Sequence, residues 1–170
     1  DGLTLFDGAG GEYAAALVAV DRRGATARIV AFDPVERESP LSVTLAQAIA
    51  AVDAMDYAVR KAVELGVTAI QPLVTERSAS LATGERGAKR LAHWRQIAIA
   101  ACEQCGRNRV PEIAAPLALS AWSTAWSGSG LVLTADAATS LAAVAQPAAP
   151  VALLVGPEGG FSERDGAAAQ

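Results

Sequence analysis

Nowhere do the 170 residues offer the ~18 consecutive apolar positions that a membrane-spanning helix needs; the apolar segment Val151 to Val155 is far shorter. No positively charged start leads into an apolar stretch, so no secretory leader is read. The first residue is Asp1 rather than Met, and the chain opens inside a patterned segment, which leads us to expect residues before it. Cysteine is scarce. Cys102 and Cys105 are too few for a disulfide framework, and they suit a cytoplasmic setting. With one histidine, His93, a metal site lacks donors, and none is expected. Positive charge is not in excess: a formal net charge of -4 argues against a protein that coats nucleic acid indiscriminately, while leaving room for a local basic face. Aromatics are only 5% of the chain, so a core drawn from its 52% hydrophobic residues is built mainly of small aliphatic side chains.

What is present divides in two. Asp1 to Phe32 reads as β structure, with short apolar stretches split by the turn signals "DGAGG" and "DRRGA". The Gly8-Ala9-Gly10-Gly11 cluster resembles a dinucleotide loop only superficially. Glu12-Tyr13 leads straight into another strand, so the cluster reads as a tight turn. Asp33 to Pro40 is polar, holds two prolines and reads as a linker. Beyond it, Leu41 to Ile49 is a candidate buried strand. Asp53 to Leu65 has helical spacing, with Asp53 as a cap and Gly66 at the expected stop. Val67 to Val74 reads as a strand leading into "TERS". Lys89 to Cys105 reads as an amphipathic helix with Leu91, Trp94, Ala98, Ala101, Cys102 and Cys105 on one face. Leu131 to Thr134 and Val151 to Val155 are short strands, and Ala135 to Pro150 is expected to form a helix and a connection. Strands alternating with helices predict an α/β domain with a mainly parallel sheet.

Three segments carry candidate chemistry. In "VALLVGPEGGFSERD" a buried strand runs into glycines and then into a helix start, with Ser162 as cap and Asp165 three residues on. Gly156, Gly159 and Gly160 let backbone amides approach a ligand, and a helix N-terminus favours a negative group. No Gly-Lys-Ser/Thr follows, so it is not a P-loop. The spacing alone leaves open a ligand loop or a mere tight turn. Glu76 to Arg109 is a basic island, with Arg77, Arg86, Lys89, Arg90, Arg95, Arg107 and Arg109 against Glu76, Glu85 and Glu103. A solvated helix face is the bland reading, and the arginines of "CGRNRVPE" favour RNA phosphates, with His93 and Trp94 nearby. Cys102 and Cys105 lie at a helix end and on its apolar face. That suits packing, or a subunit contact, better than redox or metal chemistry.

Here a family resemblance becomes specific. "KAVELGVTAIQPLVTERS", "HWRQIAIAACEQCGRNRVPEI" and "LLVGPEGGFSERD" are similar, in order and spacing, to the RsmE family, over a region from about Leu3 to the end. The resemblance implies a SPOUT-type α/β domain with a C-terminal trefoil knot over residues 37–170. It also implies that residues 1–36 are the tail of a PUA-like RNA-binding β domain. It implies an S-adenosylmethionine-dependent methyltransferase acting on N3 of a uridine in 16S ribosomal RNA of the small subunit, working as a homodimer in the cytoplasm. The family's final strand and "LGxRILRxETA" segment, which complete its knot, fall beyond Gln170. A basic residue usual in the family before the first helix is missing from Val52-Asp53-Ala54-Met55.

The resemblance also places the cofactor on Gly156, Pro157, Glu158, Gly159 and Gly160, with Leu133 and Thr134 at a neighbouring strand end. The weakly acidic N3 proton of uridine must leave before or during transfer. Arg77, at a strand end, is expected to stabilise the developing anion or to hold a phosphate. Glu76 or Glu158 is expected to accept the proton, with a structural carboxylate as the competing reading for each. Arg107 and Arg109 are expected on the RNA backbone. Two other functions compete: a non-catalytic RNA-binding or ribosome-assembly protein of the same fold, and a SPOUT methyltransferase acting on another ribosomal or transfer RNA position.

Overall fold

The computed structural model describes residues 2–78, 84–144 and 150–169. Three antiparallel strands come first: β1 (Gly2–Leu5), β2 (Glu12–Asp21) and β3 (Gly24–Asp33). The turn at Arg22-Arg23 joins β2 to β3, with the Asp21 carboxylate accepting the amides of Arg23 and Gly24. The second predicted turn cluster therefore serves as a turn, while Gly8 and Ala9 of the first bridge to Arg109 between β1 and β2.

After the polar segment that follows β3 comes a sheet in which every paired strand is parallel. Its strands are β4 (Val43–Ala48), β5 (Ala69–Val74), β6 (Glu112–Ile113), β7 (Leu117–Ala118), β8 (Ser129–Leu133) and β9 (Val151–Val155). The spatial order is β6-β5-β4-β9-β8, with β7 also pairing β5. Four helices complete the described residues: α1 (Val52–Glu64), α2 (Gly84–Cys105), α3 (Leu119–Ala125) and α4 (Glu163–Ala168).

Both faces of the sheet are covered, which is why β9, Val-Ala-Leu-Leu-Val, reads as a continuous apolar run rather than an alternating one. On one face Met55, Val59 and Val63 of α1 meet Trp94, Ala98 and Cys102 of α2 and Ile70 of β5. On the other, Leu119 and Trp122 of α3 pack on Ala46, Leu73, Ala152 and Leu154, with Phe161 beside them. Small side chains at the sheet centre let the helices come close: Ala46, Ala48 and Ala152 have no exposed surface. Among the described residues no helix is long and apolar enough to cross a membrane.

Several sequence expectations need correction. Asp53 does not cap α1. The N-cap position is Ala51, without a side-chain bond of its own, and Asp53 lies in the first turn, where its charge still favours the helix dipole. Gly66 does end α1, with φ +94. The alanine-rich stretch forms no α-helix among its described residues. It holds a turn at Thr134–Ala137 and a 3-10 turn at Leu141–Ala143, while residues 145–149 fall outside the described set. Residues 133–144 are all exposed, so helix propensity has no burial to support it. Helix α2 begins at Gly84 rather than Lys89, and α3 was not expected. Cys105 is exposed while Cys102 is buried, so the apolar face of α2 ends one turn earlier than its spacing suggests.

Candidate active site

The C-terminal ends of β4, β9 and β8 align along one edge of the sheet: Gln47 pairs with Val155, and Val155 with Leu133. This is the edge at which open parallel sheets bind ligands. From Val155 the chain enters Gly156-Pro157-Glu158-Gly159-Gly160 and turns back on itself. The Gly160 amide donates to the Pro157 carbonyl at 2.8 Å, and Gly160 has φ +67, where any side chain would be strained. A Cβ on Gly156 would lie 3.3 Å from the backbone of Gly160. A Cβ on Gly159 would make only ordinary contact with Arg77, at 3.5 Å.

Neighbouring strand ends hold this loop from three sides. From β4, the Gln47 Nε2 donates to the Ala48 carbonyl at 2.9 Å and to the Gly156 carbonyl at 3.3 Å. From the start of α1, the Ala51 amide donates to Glu158 Oε1 at 2.9 Å. Glu158 thus satisfies an orphan donor of a helix far from it in sequence. That bond, together with the residue's own amide, holds its pKa below the ordinary 4.5. From the turn after β5, Arg77 Nη1 donates to the Gly159 carbonyl at 2.8 Å and to that of Phe161 at 3.4 Å. The loop then passes into α4 through a capping box in which Ser162 and Asp165 bond reciprocally. Buried Asp165 also accepts the Glu76 amide at 3.3 Å, joining α4 to the Thr75–Ser78 turn.

One strand over, the end of β8 borders a cavity of about 320 Å³. Leu131, Leu133, Leu141 and Val144 give it an apolar wall, and Thr134, Thr139 and Ser140 add hydroxyls. Its size falls in the ~300–1,000 Å³ range of small-molecule sites.

Comparison with known proteins gives this edge a context. The RNA methyltransferase domain family matches residues 37–170. Ribosomal RNA small subunit methyltransferase E from Neisseria gonorrhoeae, solved bound to S-adenosylmethionine, superposes with a TM-score of 0.93 at 40% identity, over 99% of this chain and 71% of that one. The chain belongs to the RsmE family. A Legionella pneumophila methyltransferase in complex with the same cofactor gives a TM-score of 0.93 at 38% identity, over 99% of this chain and 70% of its own. The Synechocystis sp. ribosomal RNA small subunit methyltransferase E is 32% identical over 97% of this chain and 55% of its own length. That of Buchnera aphidicola subsp. Schizaphis graminum is 36% identical over 74% of this chain and 52% of its own. The chain spans about half the length of the curated relatives it matches.

In this RsmE chain the site residues expected from sequence separate into two groups. Gly156, Pro157, Glu158, Gly159, Gly160, Arg77 and Glu76 come together, with Leu133 and Thr134 one strand away. Glu76 Oε1 lies 3.5 Å from Arg164 Nη1 at the surface. Arg107 and Arg109 are elsewhere, at the seam with the first sheet. Arg107 was expected on RNA phosphate, but it is buried, with 8% exposure. Four of its five N–H donors are in use. It pairs with Glu38 through Nε and Nη2, and donates to the carbonyls of Val63 at 2.7 Å and Val67 at 3.0 Å. Arg109 is half-exposed, 3.0 Å from Glu36. His93 meets Asp56 at 2.8 Å, and Trp94 lies in the core.

Sequence reading missed Gln47, Ala51 and Asp165 as loop supports. Only Asp165 left a local signal, the cap spacing from Ser162. For Arg107 and Arg109 a signal did exist: the acidic pair Glu36 and Glu38 has the same two-residue spacing and pairs with them in antiparallel order.

Proposed function

We propose that the full-length protein transfers a methyl group from S-adenosylmethionine to N3 of a uridine in 16S ribosomal RNA of the small ribosomal subunit. The observation that carries this reading is the braced glycine loop at the C-terminal edge of the parallel sheet, in a chain with relatives named ribosomal RNA small subunit methyltransferase E and two structural neighbours solved with S-adenosylmethionine bound. Gly159 strengthens it: the fold tolerates a Cβ there, so the bare backbone at this position suits the approach of a ligand.

Gly156 to Gly160 would hold the cofactor, with Leu133, Thr134 and the adjoining cavity taking its nucleoside; apolar walls and hydroxyls suit a base and a ribose. When bound, the cofactor supplies a methyl group on a positively charged sulfur. The chain must do the rest. Arg77, anchored to the loop by one nitrogen, has further N–H donors that can stabilise the uridine anion as N3 loses its proton. Glu76 is the carboxylate we assign to accept that proton. Glu158 is a weaker base, because its charged form is held by the Ala51 amide. Arg109 remains a candidate phosphate contact.

The finer architecture belongs to the same proposal. The domain division at 36/37, the PUA-like identity of the β1–β3 unit and a SPOUT trefoil knot that includes the glycine loop are supported by the family resemblance and by the parallel strand order. The family resemblance alone supports a homodimer and a cytoplasmic location. The apolar face of α2 gives the dimer no support, because Trp94, Ala98 and Cys102 are consumed by the core. Exposed Val52, Tyr57 and Leu65 around α1 are better suited to a subunit contact.

Calorimetric titration tests the reading. Gly159→Val should abolish cofactor binding by the full-length protein and leave its thermal unfolding unchanged. Normal affinity in that variant would refute the loop assignment. Cofactor bound without methylation of any RNA would favour the non-catalytic assembly role.

A further inference from the structure

Two sequence features lie outside the glycine-loop site: the Gly8–Gly11 cluster and the Arg107–Arg109 segment. The structure puts them together. The Gly10 amide donates to the Asn108 carbonyl, and the Val110 amide to the Gly8 carbonyl, both at 3.1 Å. Arg109 Nη1 donates to the Ala9 carbonyl at 2.6 Å. From the segment after β3, Val35 accepts the Asn108 side-chain amide at 3.0 Å, Glu36 pairs with Arg109, and Glu38 pairs with buried Arg107. Phe6 and Val110 pack on the α1–α2 core beside this seam.

The glycines make the approach possible. Gly8 and Gly10 have φ +88 and +103; a Cβ on Gly8 would lie 3.1 Å from Val110, and one on Gly10 would lie 2.6 Å from the Arg109 guanidinium. Arg107 carries the other half of the joint, because its carbonyl partners Val63 and Val67 flank the end of α1. One guanidinium thus binds the parallel-sheet unit and, through Glu38, the segment leaving the first sheet.

We propose that these residues form a clasp that fixes the β1–β3 sheet relative to the parallel sheet, so that RNA held on the first unit reaches the glycine loop at one set angle. Arg107 is then a positioning residue for RNA and not a phosphate contact. This rests on the proposed RNA methyltransferase activity for its consequence, though not for the clasp itself.

The test uses full-length protein carrying Glu38→Gln, Arg107→Gln, both together, or Gly10→Val, which removes no charge. Each single change should raise the RNA KM roughly ten-fold, with the double variant no worse than the singles. Cofactor Kd, kcat and the salt dependence of the RNA KM should stay as in wild type. Amide hydrogen exchange at Gly10 and Val110 should quicken while β2 and β3 stay protected. Glu38→Gln preserves shape and decides the matter alone should an arginine variant not fold. The proposal falls if Glu38→Gln and Gly10→Val leave RNA KM normal while Arg107→Gln lowers the salt slope by about one phosphate contact, ~0.9. Quickened exchange with unchanged RNA KM removes the positioning role. Unchanged exchange in every variant removes the clasp. If wild type methylates no RNA, the proposed function fails, and exchange still reads the clasp.

Discussion

Glu158 joins the glycine loop to the first turn of α1 by a single bond to the Ala51 amide. Because its pKa is lowered in the fold, it stabilises the native state above the ordinary 4.5, and that contribution is lost as pH falls through the folded-state value. Glu158→Gln should therefore be less stable than wild type at about pH 7, with the gap closing below about pH 4.5. Denaturant unfolding across that range checks it, and a constant gap would show that the charge is irrelevant. Arg77 braces the same loop from the other side. A hydrogen bond from a charged donor contributes about 1.5–3 kcal/mol, less when exposed, so Arg77→Ala should weaken cofactor affinity by roughly ten-fold. It should also slow single-turnover methylation at saturating RNA and cofactor. If transfer keeps its normal rate there, Arg77 is a brace only and has no part in catalysis.

At the scale of elements, α4 depends on its capping box. Asp165→Ala would leave the amides of Ser162 and Glu76 without their acceptor, at a cost of about 1–3 kcal/mol. Thermal unfolding should show that loss, and cofactor affinity should fall with it, because α4 and the Thr75–Ser78 turn brace the loop together. Helix α2 offers a chemical check. Burial raises the Cys102 thiol to about 11, and its Sγ donates to the Arg109 carbonyl at 3.4 Å, whereas Cys105 is exposed. A thiol reagent at mildly alkaline pH should label Cys105 at once and Cys102 only on unfolding. Equal labelling would contradict the placement of α2. These elements also show what could be read in advance. Helices α1 and α2, the buried strands β4, β5 and β9, and the Ser162–Asp165 cap each follow from spacing of a few residues, so the sequence displays them. Bonds such as Glu158 to Ala51 and Gln47 to Gly156 join positions remote in sequence, and local pattern carries no record of them. The helix expected after Ala135 is absent among the described residues for the opposite reason: propensity was present, and burial was not.

At the scale of the whole molecule, two sheets of different kinds meet at one polar seam, and the braced glycine loop lies on only one of them. In the proposed function RNA is held on the first unit and the cofactor on the glycine loop of the second, which gives the joint between them a role in positioning. The homodimer in the proposal predicts a native mass, by light scattering of the full-length protein, of twice the chain; a strictly monomeric and fully active protein would contradict it. The central claim is that the loop from Gly156 to Gly160 carries the cofactor for RNA methylation. Single-turnover methylation of small-subunit RNA by the full-length protein, wild type beside Gly159→Val, with the modified base mapped, tests it most directly. The account predicts methylation at N3 of one uridine by wild type and none by the equally stable variant. Equal methylation by both, or none by wild type with cofactor bound, would contradict it.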